Sequence, residues 1–309
     1  MTAREALSAR ASIESTSARC ISVKRSGLSH LYELPMIEDS PLGRSSAYPD
    51  RYDASLLFPI ACAHNRAQLS ANTPRPAAGV DIWTAYEVSW LNARGMPQVA
   101  AATFRVPHDS PNIIESKSFK LYLNSFNATR LPDATTVHDM LVRDLSAAAG
   151  AAVDVRLHTG ADLDALHVAL PEGQLLDDQD IAIDTYTPQA DLLIADVSQP
   201  AISHTWVSRL LKSNCPVTGQ PGWADVQISY TGAPIDPAQL LRYIVSFRDH
   251  ADFHEHCVER IFDDILRICR PTRLSVYARY TRRGGLDINP WRSTEAHQHP
   301  PANIRTPRQ

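Results

Sequence analysis

The stretch 81-DIWTAYEVSWLNARGMPQVAAATFRV-106 sets two strand-like runs on either side of NARGMP, a polar break containing Gly95. Runs rich in β-branched and aromatic residues, joined by a short glycine-containing segment, turn the chain back on itself. The stretch therefore predicts a β-hairpin, 81–91 against 98–106. The period then changes. In 115-ESKSFKLYLNSFN-127, Phe119, Tyr122, Leu123 and Phe126 recur at i, i+3, i+4 and i+7, the spacing of one helix face. A second helix is predicted from about Thr135 to Ala149, with Asp133 as cap and Gly150 as stop. Val153, Val155 and Leu157 then alternate as a strand.

The second half repeats this order. Strand-like 202-ISHTWVSRLL-211 and 225-DVQISY-230 flank a turn-rich loop containing Cys215. A helix follows from Pro237, which suits a first helical position after Asp236. Another is predicted from about Ala251 to Arg270, with Val258, Ile261, Ile265 and Ile268 on one face, and 274-LSVYARY-280 reads as a strand. Both halves read strand, strand, helix, helix, strand, which points to an α+β fold with an internal duplication. The interrupted acidic segment 160–191 links the halves. A Ser-, Ala- and Arg-rich leader (1–35) has no apolar run fit for a secretory signal and reads as disordered, with organised sequence beginning near Met36. The expected division is leader 1–35, a first module 36–170, a second module 171–293 and a tail 294–309.

Composition bounds the function. The 309 residues are 44% hydrophobic and 21% charged, as in soluble globular proteins, with a formal charge of −4 that gives no general attraction to nucleic acid. No apolar run reaches the ~20 residues that span a bilayer. The 5 cysteines are scattered without a C-x-x-C pair, which argues against a disulfide framework and for a reducing, cytoplasmic setting.

Each candidate for chemistry carries two readings. Cys215, between Asn214 and Pro216 and ahead of Gly219, Pro221 and Gly222, is either a thiol held out on a rigid loop or a plain loop residue. Glu115, Ser116 and Lys117 form a polar cluster at a helix start that could carry chemistry, and equally suit a helix N-terminus, which favours a carboxylate and a hydroxyl cap. His254 falls in phase with Val258 and Ile261, so a satisfied, partly buried histidine is the plainer reading, and Glu255 has a surface-helix reading. Arg279, Arg282 and Arg283 before Gly284-Gly285 fit a solvated strand end or a phosphate site. His250 and His254 at helical spacing, with His256 and Cys257 nearby, raise zinc, but H-E-x-x-H is absent.

Taken together, ESKSFKLYLNSFN, CPVTGQP, FRDHADFHEHCVERIFDDI and SVYARYTRRGGLDINPWRS closely resemble the long, two-module form of the QueF family. The resemblance spans about Ser40 to Ser293, including SPLGRSSAYPD, YDASLLFPI and GVDIWTAYEVSWLNARG, and leaves out leader and tail. It implies two tandem tunnelling-fold modules, each an antiparallel sheet with a helix pair on one face, assembling into a homodimer. It implies NADPH-dependent reduction of the nitrile 7-cyano-7-deazaguanine to the aminomethyl compound, in queuosine biosynthesis, through a thioimide on cysteine, without metal and without direct contact with nucleic acid or membrane. Cys215 matches the family nucleophile. Ile114, Glu115, Ser116, His254 and Glu255 match substrate contacts. Ser116, Lys117, Arg283 and Gly284 match contacts to NADPH, without a GxGxxG motif.

One position departs. Where the family loop reads CPVTGQPD, with the aspartate as proton donor, this chain has Gly222. Asp225 is the nearest carboxylate in sequence and stands as a tentative replacement, although in an extended strand it starts roughly 10 Å away at ~3.3 Å per residue, which favours water or a shifted loop. Two alternatives follow: a deazaguanine-binding protein of the same family with impaired turnover, and a zinc-dependent cyclohydrolase-like hydrolase, disfavoured by its missing ligands.

Overall fold

Asn92 closes the first predicted hairpin by accepting from the N–H groups of Arg94 and Met96, both at 3.0 Å, and Gly95 takes a positive φ of 84° in the turn. The computed structural model describes residues 48–309; the predicted leader and the start of the organised region lie outside the described residues. In chain order the elements are β1 (Pro59–Ala61), α1 (Ala63–Arg66), β2 (Ala78–Leu91), β3 (Pro97–Pro107), β4 (Asn112–Ile114), α2 (Ser116–Asn124), α3 (Ala134–Ala149) and β5 (Asp154–His158). After them come β6 (Gln174–Leu175), β7 (Ile202–Asn214), β8 (Pro221–Gly232), α4 (Pro237–Ser246), α5 (His254–Cys269), β9 (Arg273–Tyr280) and β10 (Leu286–Ser293).

β1 and β4 form a small antiparallel pair. The other strands make one sheet of order β5-β3-β2-β10-β9-β8-β7-β6, antiparallel except at the parallel edge pair β6–β7. The fold is thus α+β, built on a large antiparallel sheet. Alternate residues of β2 and β3 (Trp83, Ala85, Ala102, Phe104) pack on Phe119 and Tyr122 of α2 and on Leu141 and Leu145 of α3. In the same way Val226, Ile228, Val276 and Ala278 pack on α4 and α5. The register places Trp291 opposite Tyr277 and both on the other face with Ile82, so both helix pairs cover one side of the sheet.

The predicted caps are realised: the Asp133 carboxylate accepts from Thr136 N–H (2.8 Å), Asp236 accepts from Gln239 N–H (2.9 Å), and Gly150 ends α3 at φ 70°. The halves also repeat side-chain detail. Tyr122 donates to Asp144 at 2.7 Å and Tyr243 to Asp264 at 2.8 Å. Ser125 and Ser246 each donate 2.6 Å to the carbonyl three residues earlier, and Phe126 and Phe247 each stand edge-on to the preceding tyrosine.

Two expectations change. The last helix begins at His254, not Ala251, because 250–252 is drawn into pairing with Asn214: Asn214 N–H donates to His250 O (2.7 Å) and Asp252 N–H to Asn214 O (3.0 Å). And β10, unread in the sequence, stitches β2 to β9 and so joins the two halves. The tail is not loose: Arg279 donates to Ile304 O and Ala302 O, which lays residues 302–304 against the sheet.

Candidate active site

Where β10 joins the halves, a cleft of about 570 Å³ opens. The end of β4 and the first two turns of α2 give it Ile114, Ser116 and Lys120; the turn after β7 gives Cys215 and Pro216. The start of α5 gives Asp252, Phe253, His254 and Glu255, and the β9–β10 turn gives Thr281 and Arg283 over a floor of Trp83, Leu286 and Ile288.

Cys215 is half-buried and free, on a turn that closes on itself: its N–H donates to Gln220 O (2.9 Å) and its carbonyl accepts from Gly219 N–H (3.0 Å). Gly219 takes φ 66°, a conformation glycine adopts without strain, and Thr218 N–H points at the sulfur from 3.5 Å. Lys120 and Arg283 both stand within electrostatic reach of that sulfur. The other described cysteines are buried, and burial pushes the Cys62 and Cys269 thiols up to about 12. The turn chemistry that marked Cys215 in the sequence thus delivers the described thiol that faces a cleft.

His254 lies flat on Tyr280, ring centroids 3.7 Å apart and planes 6° from parallel. Burial, with Arg283 and Lys120 close by, lowers its pKa to about 3, so the ring is neutral, and its Nδ1 has no protein partner. Next to it, burial and then the charge of Asp81 raise the Glu255 carboxyl to about 8. Beneath Glu255 lies a buried ionic group: Arg292 donates 2.6 Å to Asp81 and 3.0 Å to Glu259, and Glu259 also meets Arg66 at 3.2 Å.

Other predicted residues sit differently. Glu115 itself, rather than Ser116, caps α2: its oxygens accept from the N–H groups of Lys117 and Ser118, each at 2.7 Å. Burial raises its pKa against those bonds, and the side chain is fully buried rather than lining the cleft. Lys117 and Gly284 line a neighbouring open groove, which shares Lys120 with the cleft. Gly284 and Gly285 turn at φ 56° and 72°, and a Cβ on Gly284 would come within 3.1 Å of the Lys120 side chain.

Asp225 is a correction. It sits on the sheet face opposite Gly222, 3% exposed and ion-paired with Arg308, so it is not placed to deliver a proton to a group bound over Cys215. A Cβ on Gly222, by contrast, would point straight at the cleft wall. The histidine pair also fails to converge: His256 and His250 both turn to Asp252 (3.3 and 3.6 Å), while His254 lies on Tyr280. Although burial opposes it, those two imidazoles hold Asp252 well below the usual carboxylate range. Among the described residues no group of three or more ligating side chains could hold a metal ion.

Sequence reasoning passed over Lys120, Phe253, Thr281 and the floor residues. Lys120 was the findable one, since it lies one turn beyond Ser116 on the same helix face. Trp83, Leu286 and Ile288 read as ordinary core.

The chain matches the family described as nitrile reductase, 7-cyano-7-deazaguanine-reductase N-term, over residues 48–157, and that described as QueF-like protein over 221–299. It is 58% identical over 273 residues to the NADPH-dependent 7-cyano-7-deazaguanine reductase of Bordetella parapertussis, covering 88% of this chain and 99% of that one. The proteins of the same name from Bordetella avium (59% over 273 residues) and Cupriavidus pinatubonensis (58% over 274 residues) are covered to the same extent. A crystal structure of the archaeosine synthase QueF-Like in the apo form aligns over 31% of this chain and 94% of that one at 13% identity, with a TM-score of 0.27, too low to bear on the fold. At 58–59% identity over 88% of its length and 99% of theirs, the chain belongs to the family of NADPH-dependent 7-cyano-7-deazaguanine reductases.

Proposed function

We propose that this chain reduces the nitrile of 7-cyano-7-deazaguanine to a primary amine at the expense of NADPH, with Cys215 as the nucleophile. The observation that carries the reading is the convergence of Cys215, Lys120, His254 and Glu255 on one cleft, in a chain so similar to enzymes of that name.

The purine-like edge of the substrate offers N–H donors, which Glu255 receives as a carboxylate. Glu115 instead holds the start of α2, and with it Ser116 and Lys120, at the edge of the cleft. Phe253 supplies an aromatic wall.

The sulfur of Cys215 attacks the electrophilic nitrile carbon, and one π pair of the triple bond moves to nitrogen. That nitrogen needs a proton. Gly222 has none to give, His254 is neutral, Asp225 faces away, and Glu255 is ionised once it receives the substrate's N–H donors, so among the cleft side chains the Lys120 ammonium, within electrostatic reach of the Cys215 sulfur, takes the role. Burial, with the Arg283 charge beside it, holds Lys120 below its usual pKa and so makes it a readier donor. It recovers the proton that the Cys215 thiol gave up, so the net change is addition of S–H across C≡N to give a thioimide. Breaking the C–S bond after the first reduction returns the thiol and leaves an imine for the second.

The residues present fit a dinucleotide cofactor: Lys117, Lys120 and Arg283 are cationic, and the Gly284-Gly285 turn leaves open space where a Cβ would crowd Lys120. NADPH, when bound there, supplies one hydride to each of the two reduction steps.

The repeated Tyr–Asp, Ser–carbonyl and Tyr–Phe contacts support a reading of the body as two tandem tunnelling-fold modules, 36–170 and 171–293. The long edge of β7, paired over only two residues by β6, supports association with a second copy. A cytoplasmic place in queuosine biosynthesis follows from the family resemblance. Apart from Gly222, nothing favours a binding protein without turnover.

NADPH oxidation followed with the nitrile as substrate tests the reading: consumption of two NADPH per nitrile, with appearance of the amine, is expected. Tight nitrile binding without NADPH consumption contradicts it.

A further inference from the structure

Residues 305–309 cross the helix-free face directly behind the cleft. Arg305 forms a parallel bridge with Val168, and the segment then enters the sheet surface, with Thr306 1% and Gln309 5% exposed. The Gln309 side-chain amide donates to Tyr280 O at 3.0 Å and to Asn289 Oδ1 at 2.7 Å, while its own oxygen accepts from Thr306 N–H at 2.9 Å. Arg308 donates to Ala224 O at 3.3 Å and to Arg209 O at 2.8 Å, and is ion-paired with Asp225.

Ala224 and Tyr280 face each other as the last ladder pair of β8 and β9 on the cleft side. Beyond Tyr280 come Thr281 and Arg283, which line the cleft, and two residues before Ala224 is Gly222. The ring of Tyr280 is also the surface on which His254 lies. Strand ends fray unless something holds them. Here one side chain of the segment grips each member of the terminal pair, and Gln309 ties it to β10 as well.

We propose that segment 305–309 is a strap, with Arg308 and Gln309 as positioning residues that fix the ends of β8 and β9 and, through Tyr280, the His254 ring for nitrile reduction. A residue that misplaces reacting groups by about 1 Å from a distance can cost on the order of 10²-fold in rate. The strap touches neither substrate nor cofactor, so its loss lowers kcat while the KM for NADPH stays within about twofold.

The inference rests on the nitrile-reductase reading, and the two fail differently: an unmodified chain that consumes no NADPH sinks that reading, whereas the strap is judged only by comparing variants with an active parent. The test is Gln309→Ala in the full chain, with the double variant Arg308→Met/Asp225→Asn, which leaves no buried unpaired charge. Kinetics, melting temperature and the NMR signal of the His254 ring proton, which the stacked Tyr280 ring shifts upfield, are read together. Expected are a fall in kcat of about ten- to hundredfold, a melting temperature within about 3 °C of the parent, and a His254 signal that moves downfield. Gln309→Glu, which keeps the shape but turns the donor into an acceptor, is read the same way should the alanine variant fail to fold. The proposal is overturned if kcat stays within twofold of the parent, or if the loss merely follows the unfolded fraction while the His254 signal of the folded protein stays in place.

Discussion

A Cβ placed on Gly222 would stand 2.7 Å from His254 Nε2 and 3.3 Å from an Arg283 Nη. Position 222 therefore addresses the cleft, and His254 fills the space that a side chain there would claim. An aspartate at 222 requires a small turn of His254 on Tyr280 and finds Arg283 as its ion partner. The position where the family resemblance expects a carboxylate is thus held by a glycine that faces the cleft.

If Lys120 supplies the proton, Lys120→Met slows formation of the covalent adduct by ~10²–10⁴-fold, the usual worth of a positioned general acid. Gly222→Asp in that background restores at least about tenfold of it, because the new acid takes over. The measurement is the adduct rate without NADPH, so weakened cofactor binding does not enter. An adduct rate unchanged by Lys120→Met sinks the assignment.

Glu255 gives substrate affinity a pH dependence. Its carboxyl, raised to about 8 by burial and then by Asp81, is mostly protonated at neutral pH, whereas the ligand's N–H donors need the ionised form. Binding therefore releases a proton below pH 8, and affinity climbs with pH by at most about tenfold per unit until it levels off near 8. Calorimetry of nitrile binding in buffers of different ionisation enthalpy reads the proton release directly. Affinity that is flat from pH 6 to 8, or that improves toward acid, contradicts this account of Glu255.

Arg292 is fully buried between Asp81 and Glu259. Arg292→Met leaves Asp81 as an uncompensated buried charge and is expected to cost about 3–5 kcal/mol in urea unfolding. Replacing Asp81 by Asn in the same chain recovers much of that loss. A cost below ~1 kcal/mol means that the pair is neutralised some other way.

What the sequence revealed was local. The first hairpin, the caps of α3 and α4 and the tight turn at Cys215 are set by neighbouring residues, and all were readable. β10 was not, because Asn289 and Pro290 interrupt its pattern and its longer pairing is with β2, far away in the chain. The ion pair of Asp81 with Arg292 and the grip of Gln309 on Tyr280 join residues far apart in the chain, which no periodicity reports. Glu115 carried two readings, and the structure shows the capping one. Asp225, close to Gly222 in sequence, lies on the other side of the sheet because strand neighbours an odd number apart point to opposite faces.

The central claim is that Cys215 attacks the nitrile, and the mass of the intact protein mixed with 7-cyano-7-deazaguanine in the absence of NADPH tests it most directly. The account predicts a gain of one whole substrate mass, with nothing lost since addition expels no group, located on Cys215 and absent from Cys215→Ala. No gain at saturating nitrile, or a gain that persists in Cys215→Ala, contradicts it.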